Sequence, residues 1–189
     1  MSYSNLLKFS DFISLNEAQE LSNWTLQNKD KIFFKDAEMG GKRITTRFST
    51  DMNFEYPKIV KDIRNKIIDL LDLREQEKNK IYPPFKDGVV ASCAFEGDTC
   101  FEHIDPVWHK GFHTMHCNII TQTPKKGGNL ILNGVLEQMN ERELNCYLVS
   151  RLSHGTDLVE GSKERLMWVF GFCIQEDKWN KLVEKYSRR

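Results

Sequence analysis

Hydrophobic positions fall into two textures along the chain. In the first third they recur every three or four residues. In "SLNEAQELSNWTLQNK", Leu15, Ala18, Leu21, Trp24 and Thr25 lie near one helical face, Ser14 is suited to the N-cap, and Glu17 can complete a capping box. In "PKIVKDIRNKIIDLLDL", Ile59, Val60, Ile63, Ile67, Leu70 and Leu71 repeat the pattern behind Pro57, a residue preorganised for a helix start. Between them, "GGKRITTRFST" reads as a Gly-Gly turn followed by a strand.

From about residue 88 the spacing shortens. "GVVASCAFE", "HTMHCNIITQT", "NLILNGV", "LNCYLVSRLSHGTDLV" and "RLMWVFGFCI" are short runs rich in β-branched and aromatic residues, separated by "EGD", "TPKKGG" and "EGSKE". Short strands at such intervals predict an antiparallel sandwich or barrel. The tail "EDKWNKLVEKYSRR" is an amphipathic helix whose face is also a candidate homodimer interface. With no internal repeat, low-complexity stretch or linker, the expectation is a single domain over 1–189: a helical part over about 1–80 and a β core over about 85–175. The fold class expected is mainly β with flanking helices, the N-terminal helices bracing one face of a sheet.

Composition narrows the partners. At 189 residues the chain can bury a substantial core. Lys plus Arg and Asp plus Glu both number 27, so no net charge draws the protein to nucleic acid or to an anionic membrane. No apolar run approaches the roughly 18 residues a membrane helix needs. The start "MSYSNLLKFSDF" lacks the basic and apolar regions of a secretory signal. Cys93, Cys100, Cys117, Cys146 and Cys173 are odd in number, widely spaced and without a CxxC pair, which argues against a disulfide framework or a structural zinc site. A reducing, cytoplasmic setting is expected.

The chemistry concentrates in "CFEHIDPVWHK". On an extended chain His103 and Asp105 point the same way. Such a pair is an ion pair, a catalytic dyad or two thirds of a metal site. His154, about fifty residues later in "RLSHGTD", supplies a second imidazole. Two histidines and one carboxylate make the facial triad of non-haem iron(II) oxygenases, whose remaining positions stay open to co-substrate and O₂. Arg165 follows His154 by eleven residues across "EGSKE". A hairpin there would put Arg165 on the strand next to His154, where its guanidinium can clamp a distal carboxylate through two parallel hydrogen bonds.

Together, "HID … GGNLIL … SHGTDLVEGSKERLMWVFGF" resembles the 2-oxoglutarate- and iron(II)-dependent dioxygenase superfamily, nearest its prolyl-hydroxylase-like branch. The resemblance covers roughly 85–175. It implies a double-stranded β-helix (a jelly-roll or cupin-like fold), with Fe(II), 2-oxoglutarate and O₂ as cofactor and co-substrates. It implies His103, Asp105 and His154 as iron ligands, Arg165 on the C5 carboxylate of 2-oxoglutarate, and Asn118 as a further co-substrate contact. Asp105 stands where related halogenases carry Gly or Ala, so halogenation is disfavoured. The implied reaction is oxidative decarboxylation of 2-oxoglutarate to succinate and CO₂, coupled to hydroxylation of an unactivated C–H bond, with desaturation or cyclisation as variants.

Other residues are weighed against plainer roles. His116 shares a strand face with Asn118 and is a candidate co-substrate contact. Trp108 is a candidate substrate contact at the mouth of the site. Arg47 is a candidate anchor for a substrate carboxylate, although Arg43 and Arg47 in "GKRITTRFS" read first as solvated surface charge. "HKGFH" has the spacing of a helical zinc pair, but Gly111 and the strand that follows break that premise for His109, His113 and His116. The expected substrate is a small molecule such as an amino acid or biosynthetic intermediate. A peptidyl or protein-residue hydroxylase is the near alternative; a non-catalytic jelly-roll that binds metal or ligand is the alternative of another class.

Overall fold

The computed structural model describes residues 6–35, 43–46, 56–74 and 86–186. Eleven strands are present in the described part: β1 Leu7–Phe9, β2 Phe33–Lys35, β3 Ile44–Thr46, β4 Val89–Ala94, β5 Cys100–His103, β6 His113–Gln122, β7 Leu130–Leu132, β8 Val135–Glu137, β9 Leu144–Leu148, β10 His154–Thr156 and β11 Arg165–Ile174. Three helices accompany them: α1 Leu15–Ile32, α2 Lys58–Leu71 and α3 Glu176–Tyr186. A seven-stranded sheet runs β1-β9-β6-β11-β4-β3-β2, and a four-stranded sheet runs β5-β10-β7-β8. Each described strand pair is antiparallel. No described helix is long and apolar enough to cross a membrane.

The helices form as their patterns require. Ser14 and Glu17 close the capping box, the Ser14 amide donating to Glu17 Oε2 at 2.7 Å and the Glu17 amide to Ser14 Oγ at 3.2 Å. Ala18 and Leu21 are buried and Trp24 meets Trp168 of β11 at 5.4 Å between ring centroids, whereas Leu15 is exposed at the very start of the helix. On α2, Val60, Ile63, Ile67, Ile68 and Leu71 are buried, behind Pro57 at the N-cap. A Lys66–Glu17 ion pair ties α2 to α1. All three helices share one apolar core with the large sheet.

Strand parity divides that sheet into a helix side and a cavity side. Met115, Cys117 and Ile119 of β6, Leu144, Cys146 and Leu148 of β9, and Trp168, Phe170, Phe172 and Ile174 of β11 join the helix-side core. Their neighbours His116, Asn118, Tyr147, Arg165, Met167 and Val169 line a cavity between the two sheets. One residue of shift in any of these strands would exchange the two sets. The five cysteines are all buried thiols.

Two expectations change. "NLILNGV" is two strands, β7 and β8, folded back at Asn133 and Gly134, both with positive φ. More consequentially, β10 and β11 are not a hairpin: β10 lies between β5 and β7 in the small sheet, while β11 lies between β4 and β6 in the large one. Arg165 therefore reaches the cavity from the sheet opposite His154. Residues 157–164 carry the chain across the gap, with backbone bonds from the Glu160 amide to Lys126 O at 2.9 Å and from the Lys126 amide to Glu160 O at 3.2 Å.

Candidate active site

The small sheet brings His103, Asp105 and His154 together at one end. His103 closes β5, His154 opens β10, and the two are directly paired in register. Their rings lie 4.3 Å apart between centroids. Asp105 stands two residues beyond β5, its amide donating to Val149 O at 2.9 Å, which turns the carboxylate back toward the imidazoles. Asp105 Oδ1 lies 3.3 Å from His103 Nε2. One donor atom from each of the three side chains falls within 4.8 Å of the other two, and no other such His/Cys/Asp/Glu trio occurs among the described residues.

A β-bulge makes this register. His154 faces His103 and Thr156 faces Cys100, so Phe101 and Glu102 together oppose Gly155. A Cβ at Gly155 would lie 2.6 Å from the Cys100 carbonyl oxygen and 3.0 Å from the Glu102 amide nitrogen. Only glycine admits that approach.

Each histidine is held by its outer nitrogen. His103 Nδ1 is 2.8 Å from Phe101 O, and His154 Nδ1 is 3.2 Å from Leu152 O. A carbonyl accepts only, so Nδ1 carries the proton in each neutral ring. The Nε2 lone pairs are then left for a metal. The donor set, two neutral imidazoles and one carboxylate, suits a divalent iron-type ion. In the metal-free protein the pair is electrostatically closed instead. The hydrogen bond to Asp105, with a lesser one to Cys100, pushes His103 up to about 10. Burial alone would raise the Asp105 carboxyl; the His103 hydrogen bond and the nearby His116 and His154 outweigh it and hold Asp105 below its ordinary value. Burial lowers His154.

Across the cavity, Arg165 is 2 % exposed. Its Nη2 contacts Met167 Sδ at 3.3 Å, and its Nε has no hydrogen-bond partner. No described carboxylate forms an ion pair with it. Burial, then the nearby Arg43, lowers the guanidinium to about 10. Buried charges in folded proteins are paired, so this cation is set up for an anionic ligand. Its aliphatic stem runs past Gly128, where an added Cβ would come within 2.8 Å of Arg165 Cδ. The Gly-Gly turn of "TPKKGG" therefore leaves the guanidinium its path. Asn118 donates through Nδ2 to Tyr147 Oη at 2.8 Å, while its buried Oδ1 has no partner.

Of the residues singled out in sequence, His103, Asp105, His154, Arg165, Asn118 and His116 line this one cavity, whose volume is about 220 Å³. His116 Nε2 lies 3.6 Å from Asp105 Oδ2, and burial lowers it to about 4, so it is neutral. Trp108 is not among the lining residues and is 44 % exposed, on the chain leaving the triad. Arg47 lies outside the described residues. His113 sits on β6 away from the cavity, 3.5 Å from Ser150 Oγ.

Tyr147 and Arg43 are two of the lining residues that sequence reasoning did not assign to the site. Tyr147 is fully buried, packed edge-on against His154 at 5.8 Å and His116 at 6.3 Å between centroids, and burial raises its hydroxyl. Its signal was parity with Asn145 inside "LNCYLV", hidden because both faces of β9 are buried. Arg43, read as surface charge, is half-buried and lines the cavity beside Thr45 and Thr46.

No family model and no curated protein matches the chain. Solved structures do. A viral collagen prolyl hydroxylase from Paramecium Bursaria Chlorella virus-1, in a 2OG complex, aligns with TM-score 0.64 at 16% identity, over 90% of this chain and 96% of that one. A Pseudomonas putida prolyl-4-hydroxylase aligns with TM-score 0.59 at 13% identity, over 91% and 93%. A Trichoplax adhaerens prolyl hydroxylase, in complex with a hypoxia inducible factor oxygen degradation domain peptide fragment, aligns with TM-score 0.65 at 12% identity, over 94% and 86%. The fold defined by the two sheets is thus the double-stranded β-helix of the prolyl hydroxylases.

Proposed function

We propose that this chain is an iron(II)- and 2-oxoglutarate-dependent oxygenase that hydroxylates an unactivated C–H bond. The observation that carries the reading is the pairing, across one cavity, of a His-Asp-His donor set with a buried guanidinium that has no carboxylate partner among the described residues. His103, Asp105 and His154 hold the metal through Nε2, a carboxylate oxygen and Nε2. Arg165 takes the C5 carboxylate of 2-oxoglutarate, and the Asn118–Tyr147 pair, with His116, contacts the same co-substrate. When bound, iron(II) couples O₂-dependent decarboxylation of 2-oxoglutarate to insertion of one oxygen atom into the substrate, releasing succinate and CO₂.

The chain's own contribution is placement. Phe101 O and Leu152 O fix the imidazole tautomers, and the bulge opposite Gly155 brings the two rings into register. Val90, Met167 and Val169 give the cavity an apolar wall that limits water around the reacting groups. The substrate we infer is a small molecule. The rival peptidyl reading is favoured by one surface feature: Phe101, Ile104, Val107 and Trp108, all exposed, cluster in the chain segment around the triad.

The test is anaerobic addition of iron(II) and then 2-oxoglutarate. A weak visible charge-transfer band should develop only with both present, and air should then yield succinate. Ligand binding without the band or succinate would leave a binding protein rather than an oxygenase.

A further inference from the structure

The bulge that pairs His103 with His154 also turns a thiol into the cavity. On a regular strand Cys100 and His103, three residues apart, would face opposite sides of the sheet. Because Phe101 and Glu102 together oppose Gly155, Cys100 and His103 both line the cavity, while Phe101 and Glu102 are exposed. Cys100 is 5 % exposed, its amide donates to Thr156 Oγ1 at 3.0 Å, and its side chain shares a hydrogen bond with His103. Among the described lining residues it is the only cysteine; Cys93, Cys117, Cys146 and Cys173 are free thiols buried elsewhere.

An observation independent of the thiol points to a ligand in this cavity. Arg165 lines it at 2 % exposure with Nε unpartnered, and the buried Asn118 Oδ1 is likewise without a partner. A second sulfur, Met167 Sδ, lies 3.3 Å from Arg165 Nη2, on the wall proposed to receive the far carboxylate of 2-oxoglutarate. The two sulfurs are thus differently placed, Cys100 beside a metal donor and Met167 beside the anchor of the co-substrate.

We propose that Cys100 is a modification site for the protein's own chemistry: with no substrate bound, its thiol receives the oxygen atom otherwise inserted into a C–H bond. This rests on the oxygenase reading above and goes beyond it. The reaction is 2-oxoglutarate + O₂ + Cys–SH → succinate + CO₂ + Cys–SOH. The C1–C2 bond of 2-oxoglutarate breaks, one oxygen atom enters the new succinate carboxylate, and the other is inserted between sulfur and its hydrogen. The keto acid and the sulfur each lose two electrons, and O₂ gains all four. A thiol is oxidised more readily than an unactivated C–H bond, and a sulfenic acid is returned to thiol by reductant. Because Cys100 shares a hydrogen bond with His103, its oxidation disturbs a metal donor, and idle turnover limits itself.

The experiment uses the full chain loaded anaerobically with iron(II) and 2-oxoglutarate, without substrate, and then exposed to air with dimedone present. Peptide mass spectrometry locates the dimedone adduct, or sulfinic acid beyond it; Cys93, on the same tryptic peptide as Cys100, is the internal control. The expected result is modification of Cys100 and not of Cys93 or Met167, and only when 2-oxoglutarate is present. In a parallel sample without dimedone, ferrous affinity after the aerobic cycle should be about 10- to 100-fold weaker, as when a group orienting a ligating histidine is altered. Dithiothreitol should restore it. Cys100→Ser should gain no oxygen at residue 100 and keep its own ferrous affinity through the same cycle. If the charge-transfer band forms but Cys100 stays unmodified in air, the proposal is overturned. It is overturned equally if Met167 is oxidised instead, or if Cys100 is modified to the same extent without 2-oxoglutarate. If Cys100→Ser does not fold, the position of the modification in the parent decides. Absence of both band and succinate in the parent refutes the oxygenase reading instead, so the two failures are separable.

Discussion

Gly155→Ala should dismantle the proposed metal site without replacing any of its three donors. The added Cβ would sit 2.6 Å from the Cys100 carbonyl oxygen and 3.1 Å from the Phe101 carbonyl carbon, both backbone atoms that no rotamer change can remove. Restoring ordinary contact, from 2.6 to 3.4 Å, requires β5 and β10 to separate locally by roughly 0.8 Å. The φ of Gly155 is outside the left-handed region, so alanine meets no torsional objection and the effect is steric alone. Overpacking of this kind costs about 1–3 kcal/mol. At roughly 2–4 °C per kcal/mol for a chain of this size, the melting temperature should fall by about 2–12 °C. The separation falls between His103 and His154, where metal sites tolerate only about 0.2 Å. Ferrous affinity should drop by about 10- to 100-fold, the range seen when ligand-orienting contacts are lost. Thermal melts by circular dichroism and anaerobic iron(II) titration measure both quantities. A variant with the parent's melting temperature and ferrous affinity would refute the claim that the bulge sets the ligand register.

Arg165→Met should abolish measurable 2-oxoglutarate binding, at least about 100-fold weaker by isothermal calorimetry, while the ligand-free protein melts no lower than the parent, because an uncompensated buried charge has gone. A lower melting temperature would mean that Arg165 has a structural partner after all. Gly128→Ala, whose Cβ would crowd Arg165 Cδ at 2.8 Å, should weaken 2-oxoglutarate without changing ferrous affinity, the reverse of Gly155→Ala. The His103–Asp105 pair gives a pH signature. His103 is raised from 6.5 to about 10, so its contribution to metal-free stability is complete below pH 6.5 and lost as pH climbs through about 10. Iron must displace that proton, so apparent ferrous affinity should rise with pH, about tenfold per unit while one proton is exchanged. Asp105→Asn should flatten the metal-free stability profile, and an unchanged profile would refute the pairing.

The triad and Arg165 were legible because each sits in a short motif whose neighbours announce a strand. His116 and Asn118 followed from period-two parity alone, and the cavity wall obeys it. Adjacency in space was a different matter. Nothing in "EGSKE" distinguishes a hairpin turn from a crossing between sheets, since both need Gly and polar residues; the choice is made by the partners β4 and β6 that enclose β11. Tyr147 was obscured because β9 is buried on both faces and alternation vanishes there. Arg43 was misjudged because a three-residue strand flanked by charge carries too few positions to reveal a period. Trp108, expected as a substrate contact, is 44 % exposed on the chain leaving the triad and does not line the cavity itself.

Of the proposed metal donors, His103 and His154 belong to the four-stranded sheet and Asp105 follows β5, while Arg165, Asn118 and Tyr147 belong to the seven-stranded one. A molecule gripping both ends would therefore rivet together two leaves that the Lys8–Glu137 ion pair already links at another point, from β1 to β8. Amide hydrogens of β5 and β10 should exchange little more slowly with either partner alone and slow sharply only when ion and diacid are present together, so that loading the oxidant also stiffens the shell around it.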